Sequence, residues 1–489
     1  MGIMELRTNQ KQFISELASH YSHGSTAPLG VAPTGMGKTV CISYMANGAA
    51  KKGNRVGVIV HRQELVSQTS MALAKMGIFH GLVASQSVTS ATIKNQIKHL
   101  GRSFYNSDAK VMVCSVQTLV RRFNTVRPFD FLMIDEAHHA VAGQWSKVIE
   151  YMPKAKLLGV TATPERLDGK GLGVDSGGCF TSLVMGPSVQ SLMDDGFLAP
   201  TRVFAPPMQF EITGIRTRGG DFHNSDSAER LDKPSITGDV ISHYNKLCPG
   251  QPAIAFCASV DHAKHVAENF KAAGYRAMCV DGGMHDHARR NAIEALATGH
   301  MDILTSCDII SEGTDVPVVT AALLLRPTKS LSLHLQQCGR VLRPYEGKNY
   351  AYIIDHVGNS LRLGLPEDER QWSLEGKKKR LAENGDQGPP VRQCLNCYAC
   401  YPAAQSQCPN CGKSAVKEAS KLEQVDGDLV EVDKQALKFQ RKREQAQAQT
   451  LSELVELGRR RGMNNPHAWA KHIFKARTKK TGGNHALPL

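Results

Sequence analysis

Residues 31–40 read VAPTGMGKTV, a near match to the phosphate-binding loop G-x-x-x-x-G-K-[ST] with Ala32 at the first glycine position. In such a loop Gly35 and Gly37 let backbone N–H groups turn toward phosphate oxygens. Lys38 can reach the β and γ phosphates, and Thr39 can ligate Mg2+ where a helix begins. A glycine-rich turn that binds nothing would look similar in isolation, so the rest of the chain has to decide. The run FDFLMIDEAHH, residues 129–139, bears on this directly because it ends an apolar strand in Asp135 and Glu136. Asp135 at the strand's C-terminal edge is placed to hold Mg2+ through water, and Glu136 to polarise the water that attacks the γ-phosphate. An acidic pair also suits a plain helix N-terminus. Its position about a hundred residues after Lys38, in the same strand-helix alternation, favours a Walker B partner.

That alternation is the organising pattern of the chain. The runs RVGVIVH, KVMVCSV, FDFLMID and AKLLGVT are continuously apolar, as strands buried on both faces of a parallel sheet must be. A segment rich in Gly, Asp and Arg follows. The pattern resumes with PAIAFCA, YRAMCVD, MDILTSC, TAALLLR and AYIIDH. Two α/β units in tandem are expected: a first domain over residues 1–203, a connection or insertion over 204–235, and a second domain over 236–365. Residues 366–391 are charged and turn-rich and read as a linker. A cysteine-rich module over 392–415 and a polar stretch with a basic tail over 416–489 complete the chain.

At 489 residues the chain exceeds one ordinary core, and its formal net charge of +14 makes polyanions the expected partner class, nucleic acid before membrane surface. The longest apolar run, near 318–325, suits a strand and is far short of the ~18 residues that span a bilayer. The start MGIMELRTNQ lacks a signal-peptide core, so a soluble protein of the cytoplasm or nucleoid, or of a virus-infected cell, is expected. Eight cysteines lie singly in apolar or loop segments and read as free thiols in a reducing compartment; the other five cluster between Cys394 and Cys411.

Further motifs extend this reading. LRTNQ precedes the phosphate loop; VIVHRQELVSQ, VCSVQTLVRR and TATPERLDG follow it; AIAFCASVDHA, SEGTDVP and QQCGRVLR lie in the second unit. In this order they resemble the motifs of superfamily 2 helicases over roughly Leu6 to Asp355. The resemblance implies two RecA-like domains with ATP between them. It implies that Gln10 contacts the adenine, that Gly313 and Asp315 lie near the nucleotide, and that Arg340 and Arg343 of Q-x-x-G-R-x-x-R act as arginine fingers. It assigns His138, Thr161, Thr163 and Gln336 to coupling between hydrolysis and domain movement. An arginine pair would otherwise read as a solvated basic helix face. The box D-E-A-H and the segment HRQELVSQ depart from the DEAD-box RNA helicase pattern. GFLAP, SVDHA, LRPTKSLSLHLQQCGRVLRP and IIDHVGN are similar to the RadD-like group, related to type I and III restriction motor subunits, in which a cysteine-rich module follows the motor.

The cysteine cluster reads CLNCYACYPAAQSQCPNC. Cys394, Cys397, Cys408 and Cys411 form C-x2-C-x10-C-x2-C, the spacing of a zinc ribbon, with Cys400 as an alternative to Cys397. Such a closed Zn2+ site is structural, and the ribbon is expected to fold as its own small module. From Lys434 to Leu489 there are thirteen Lys or Arg against three acids. Thr450 and Glu453 form a capping box, Asn465 and Pro466 open a second helix, and Trp469 suits the core between the two. This basic hairpin either grips phosphates or is a solvated charged face. The reading is a Mg2+- and ATP-dependent DNA helicase or translocase of repair, recombination or replication. An RNA helicase, or a nucleic-acid-binding scaffold with an inactive motor, is the alternative, and protein partners could dock on the ribbon or tail.

Overall fold

The computed structural model describes residues 5–141, 143–166, 169–206, 214–218, 220–232, 234–307, 316–375, 390–415, 443–445, 447–461 and 466–480. They fall into two compact units, residues 1–416 and 417–489.

In the larger unit a first sheet is built from β1 (Pro28–Val31), β2 (Val56–Val60), β3 (Gly81–Val83), β4 (Val111–Ser115), β5 (Phe131–Asp135), β6 (Lys156–Thr161) and β7 (Ser182–Met185). The order is β3-β4-β2-β5-β6-β1-β7, and every neighbouring pair is parallel. β1, β2 and β4 are buried at every residue, which is why their sequences are continuously apolar rather than alternating. Because β5, β6 and β1 are adjacent, three carboxyl ends converge on one edge. Those ends carry Asp135, Thr161 and the loop to Lys38.

The second sheet contains β8 (Thr201–Phe204), β11 (Ala253–Cys257), β12 (Ala277–Val280), β13 (Ile303–Ser306), β14 (Ala321–Leu325), β15 (Ala351–Asp355), β16 (Val391–Gln393) and β17 (Ala399–Pro402). A two-stranded ribbon, β9 (Thr217–Arg218) with β10 (Asp221–Phe222), stands apart from it. The order is β12-β13-β11-β14-β15-β8-β17-β16, parallel as far as β8 and antiparallel beyond it. Two tandem RecA-like units with parallel sheets are thus present. All the apolar runs read as strands are strands, and the second sheet adds an antiparallel edge.

Three connections differ from the sequence reading. β8, read as the end of the first domain, belongs to the second sheet. The 204–235 segment is not a free connection where it is described: the Asp221 carboxylate accepts from the Thr328 hydroxyl and the Lys329 N–H, both at 2.7 Å. The charge and turn residues after 365 predict a linker. Residues 367–375 instead run from the second sheet, where Thr201 of β8 donates to Glu367, back to the first domain, where the Leu374 carbonyl accepts from Leu172 and Gly173 N–H at 2.9 Å. Main-chain pairing of this kind leaves no trace in side-chain composition.

The cysteine module is likewise not separate. β17 pairs with β8, Ala205 N–H donates to the Tyr398 carbonyl, and Gln393 donates to the Ala205 carbonyl. Cys394 and Cys408 pack with Phe204, Ala399 and Tyr401 in one apolar cluster. The expectation of an independent module is therefore corrected: the ribbon covers the edge of the second sheet.

In the smaller unit the helix Leu451–Arg460 starts at the expected capping box. Thr450 accepts from Glu453 N–H at 3.2 Å, and the Glu453 carboxylate accepts from Gln449 and Thr450 N–H. A second helix, Pro466–Lys480, begins at the expected proline. Trp469 packs with Leu454, Val455 and Ala470, the core role read from the sequence. Asn465 lies outside the described residues, as does residue 434 with the polar stretch around it.

Candidate nucleotide-hydrolysis and metal sites

The loop after β1 turns through Gly35 (φ 86°) and Gly37 (φ 85°), left-handed conformations that favour glycine. Both also lie where a side chain would collide: a Cβ on Gly35 would sit 2.2 Å from Leu198, and one on Gly37 2.6 Å from Gln10 Nε2. Gln10 is 3% exposed. Its amide donates to the Met36 carbonyl at 2.8 Å and accepts from Arg7 N–H at 3.0 Å, so it pins the loop from outside. Arg7 reaches the Gly35 carbonyl at 3.3 Å and stacks 4.0 Å over Phe197. Arg7, Phe197 and Leu198 are loop-shaping residues that motif reading missed; GFLAP marked the place without giving it a role. Thr39 occupies the first turn of the helix Lys38–Lys51.

Lys38 Nζ lies 3.1 Å from Glu136 Oε1. Glu136 holds a left-handed conformation (φ 52°, ψ 52°), a strained geometry for a residue with a Cβ and one that clusters at functional sites. Glu136 Oε2 lies 3.5 Å from His138 Nδ1, which lies 3.0 Å from the Thr161 hydroxyl. Thr161 donates to the Thr163 carbonyl and accepts from its N–H, each at 3.2 Å, and the Thr163 hydroxyl donates to Ser332 Oγ at 2.6 Å. Thr161 and Thr163 are fully buried. A continuous polar chain thus runs from the phosphate-loop lysine through the acidic box and the T-A-T segment into the second domain. Ser332 had no signal in the sequence.

Ser332 stands on the helix Leu331–Gly339, capped by Ser330 accepting from Leu333 N–H. Gln336 is one turn further along. It lines, with Thr34, Thr163, Arg370 and Trp372, a cavity of about 450 Å³ between the domains. The helix ends against the phosphate loop: a Cβ on Gly339 would sit 2.7 Å from Thr34 Oγ1, so only glycine permits this approach. Arg340 caps the helix and Arg343 follows in the next turn, both half-buried. Gly313 and Asp315 lie outside the described residues. A second contact between the domains is the ion pair Arg289–Glu64 at 3.4 Å.

Asp135 is 6% exposed and accepts from Glu136 N–H at 3.0 Å. Burial, and then the neighbouring Glu136 charge, push its carboxyl up to about 6. Lys38 and, more weakly, His61 pull it the other way. The buried Asp135 carboxylate at a strand end and Thr39 in the first turn of the helix after the phosphate loop are hard oxygen donors of the kind that Mg2+ takes, so the residues fit that ion.

The four sulfurs of Cys394, Cys397, Cys408 and Cys411 lie within 4.8 Å of one another, with Cys394–Cys411 and Cys397–Cys408 both at 3.6 Å. The edge of a tetrahedron with Zn–S bonds near 2.3 Å is about 3.8 Å, so four thiolates here fit Zn2+. Tyr398 (φ 60°) and Gly412 (φ 71°) make the knuckle turns. Cys400 stands outside the cluster, its buried thiol directed at the Tyr398 carbonyl and pushed by burial up to about 12.

Residues 3–166 match the family of type III restriction enzyme res subunits, and residues 236–345 match the helicase conserved C-terminal domain. A 51.5 kDa protein of a Lactococcus phage (isolate 7-9) is 32% identical over 411 residues, 83% of this chain and 82% of that protein. A Saccharomyces cerevisiae protein named as the ATP-dependent helicase IRC3 is 27% identical over 377 residues, 73% of this chain. The match spans only 52% of the yeast protein. Among solved structures, a fragment of a type I restriction enzyme HsdR subunit from Vibrio vulnificus YJ016 superposes with a TM-score of 0.55 at 20% identity. It covers 74% of this chain and 67% of that one, a likeness of fold.

Proposed function

Since the chain belongs to the superfamily 2 helicases, in the branch related to restriction-enzyme motor subunits, and is an ATP-hydrolysing enzyme of that family, we propose that it is a DNA-directed motor. Its cycle would use cleft closure around ATP to move along, open or remodel DNA in repair, recombination or replication. The observation that carries this reading is the polar chain from Lys38 to Ser332, because it joins the hydrolysis site to the moving domain.

In this proposal Gly35, Gly37 and Lys38 cradle the phosphates and Gln10 sits beside the adenine. Gly313 and Asp315 join the nucleotide from the second domain. Phosphate binding draws Lys38 away from Glu136, and the freed carboxylate, held from behind by His138, orients the attacking water. Thr39 and Asp135 would hold Mg2+, which supplies neutralising charge at the phosphates when bound. Arg340 and Arg343 stabilise the charge that develops in the transition state, so turnover requires the second domain to close. Thr161, Thr163 and Gln336 transmit that closure. Cys394, Cys397, Cys408 and Cys411 would hold a structural Zn2+.

DNA is favoured over RNA because the first domain matches restriction-enzyme subunits, and restriction acts on DNA. The net charge of +14 suits a polyanion held by its backbone. The basic hairpin after residue 434 would add phosphate contacts. Removing it should flatten the salt dependence of DNA affinity, and an unchanged slope would assign it elsewhere. No helix among the described residues is long and apolar enough to cross a membrane, and an intracellular setting, bacterial or virus-infected, suits the reading. ATPase rates with matched single-stranded, duplex and forked DNA and RNA test the proposal. Stimulation by DNA well above RNA is expected, and equal or greater stimulation by RNA would overturn it.

A further inference from the structure

Lys348 is half-buried, and its ammonium meets only main-chain carbonyls among the described residues. Its Nζ donates to Val319 O at 2.6 Å, to Arg343 O at 2.9 Å and to Pro317 O at 3.4 Å. Burial pushes its pKa down to about 8. An ammonium has three donors, and here all three serve two chain segments that are distant in sequence. One is the turn bearing Arg343. The other, 317–319, directly follows residues 308–315, where the family resemblance puts Gly313 and Asp315. The neighbouring carbonyl, Leu342 O, is itself fixed by Ala199 N–H at 2.7 Å. The main chain on which Arg343 stands is therefore held from two sides, by an amide on the strand-leading loop and by a lysine.

An apolar side chain of similar volume would leave three main-chain carbonyls without this donor, whereas the ammonium converging on them fixes their relative positions. We propose that Lys348 is a positioning residue for hydrolysis: it locks the Arg343 turn to the loop after residues 308–315, so that closure delivers the guanidinium in register with the phosphate. The inference rests on the reading of Arg343 as a transition-state group. It adds a residue that touches neither nucleotide nor nucleic acid.

The test compares full-length wild type, Lys348→Met, Arg343→Ala and the double variant for DNA-stimulated kcat and for the KM of ATP. Misplacing a reacting group by about 1 Å costs on the order of 100-fold, so Lys348→Met should lower kcat about 10- to 100-fold. KM should stay within about twofold, because ground-state binding is made elsewhere. The double variant should be no slower than Arg343→Ala, since the lysine acts through the arginine. An unchanged kcat in Lys348→Met, a proportional rise in KM, or effects that multiply in the double variant would each overturn the proposal while leaving Arg343 in place. A normal kcat in Arg343→Ala would instead remove the finger, and the positioning role with it. If Lys348→Met does not fold, Lys348→Gln, which keeps two donors without the charge, carries the same comparison.

Discussion

The two walls of the proposed nucleotide cleft are built on different principles. On the first wall Lys38, Asp135, Glu136, His138 and Thr161 stand at or just beyond the carboxyl ends of three adjacent buried strands, and their positions follow from the sheet. On the second wall Arg340 and Arg343 stand at a helix end and in a turn. These are held by the approach of Gly339 to Thr34, by Ser332 bonding Thr163, and by main-chain carbonyls. The first wall is preorganised by a core. The second is placed by a few contacts that can be made and broken. Chemistry would be stored on the first wall and licensed by the second.

Glu136→Gln should strike the first wall hardest, lowering turnover by a factor on the order of 10⁴ while ATP binding persists, because the group that orients water is lost. Near-normal turnover would take Glu136 out of the mechanism. Arg340→Ala or Arg343→Ala should lower DNA-stimulated kcat by about 10³ with little change in KM for ATP, as for a group that acts on the transition state. Equal loss of stimulated and unstimulated rates would mean that the second wall is not a gate.

The contrast also governs what the sequence disclosed. The positions of the first-wall residues were legible because they stand at strand ends, and strand ends follow from apolar runs and turn residues. The second wall was legible only as motifs. Ser332 and Lys348 stand in contacts that no local pattern encodes, Gly339 entered only as the fixed glycine of Q-x-x-G-R-x-x-R, and the stretch after 365 looked like a linker because carbonyl contacts are silent in composition. The zinc ribbon shows the same limit. Its ligand spacing was plain, yet its pairing with β8 was invisible, since an edge strand carries no label for its partner.

That pairing sharpens the comparison further. A Cys408→Ser, Cys411→Ser double variant should lose Zn2+ and lower the melting midpoint of the second domain by on the order of 5 °C, because the strands covering its edge come loose. An unchanged midpoint with zinc absent would return the ribbon to an independent module.

Asp135 gives a smaller effect of opposite sign. Its carboxyl is held near 6, above the ordinary value of 3.8, so the folded state binds the proton more tightly than the unfolded one. Stability gained from protonation is complete below pH 4 and is lost as pH rises through 6. At pH 8 in the absence of nucleotide, Asp135→Asn should therefore be more stable than wild type by on the order of 2 kcal/mol, though inactive. Lower stability of the variant at that pH would show the carboxylate to be well compensated by Lys38.

The most direct test of a gated cleft is a double-mutant cycle on its bridge, Thr163→Val with Ser332→Ala, read as the ratio of DNA-stimulated to unstimulated ATPase. Each single variant should lower that ratio about tenfold, the worth of one hydrogen bond near 1.4 kcal/mol, with the unstimulated rate preserved. The double variant should match the singles, because the two hydroxyls serve one contact. Ratios that multiply in the double variant, or a fall of the unstimulated rate in step with the stimulated one, would contradict coupling through this bridge.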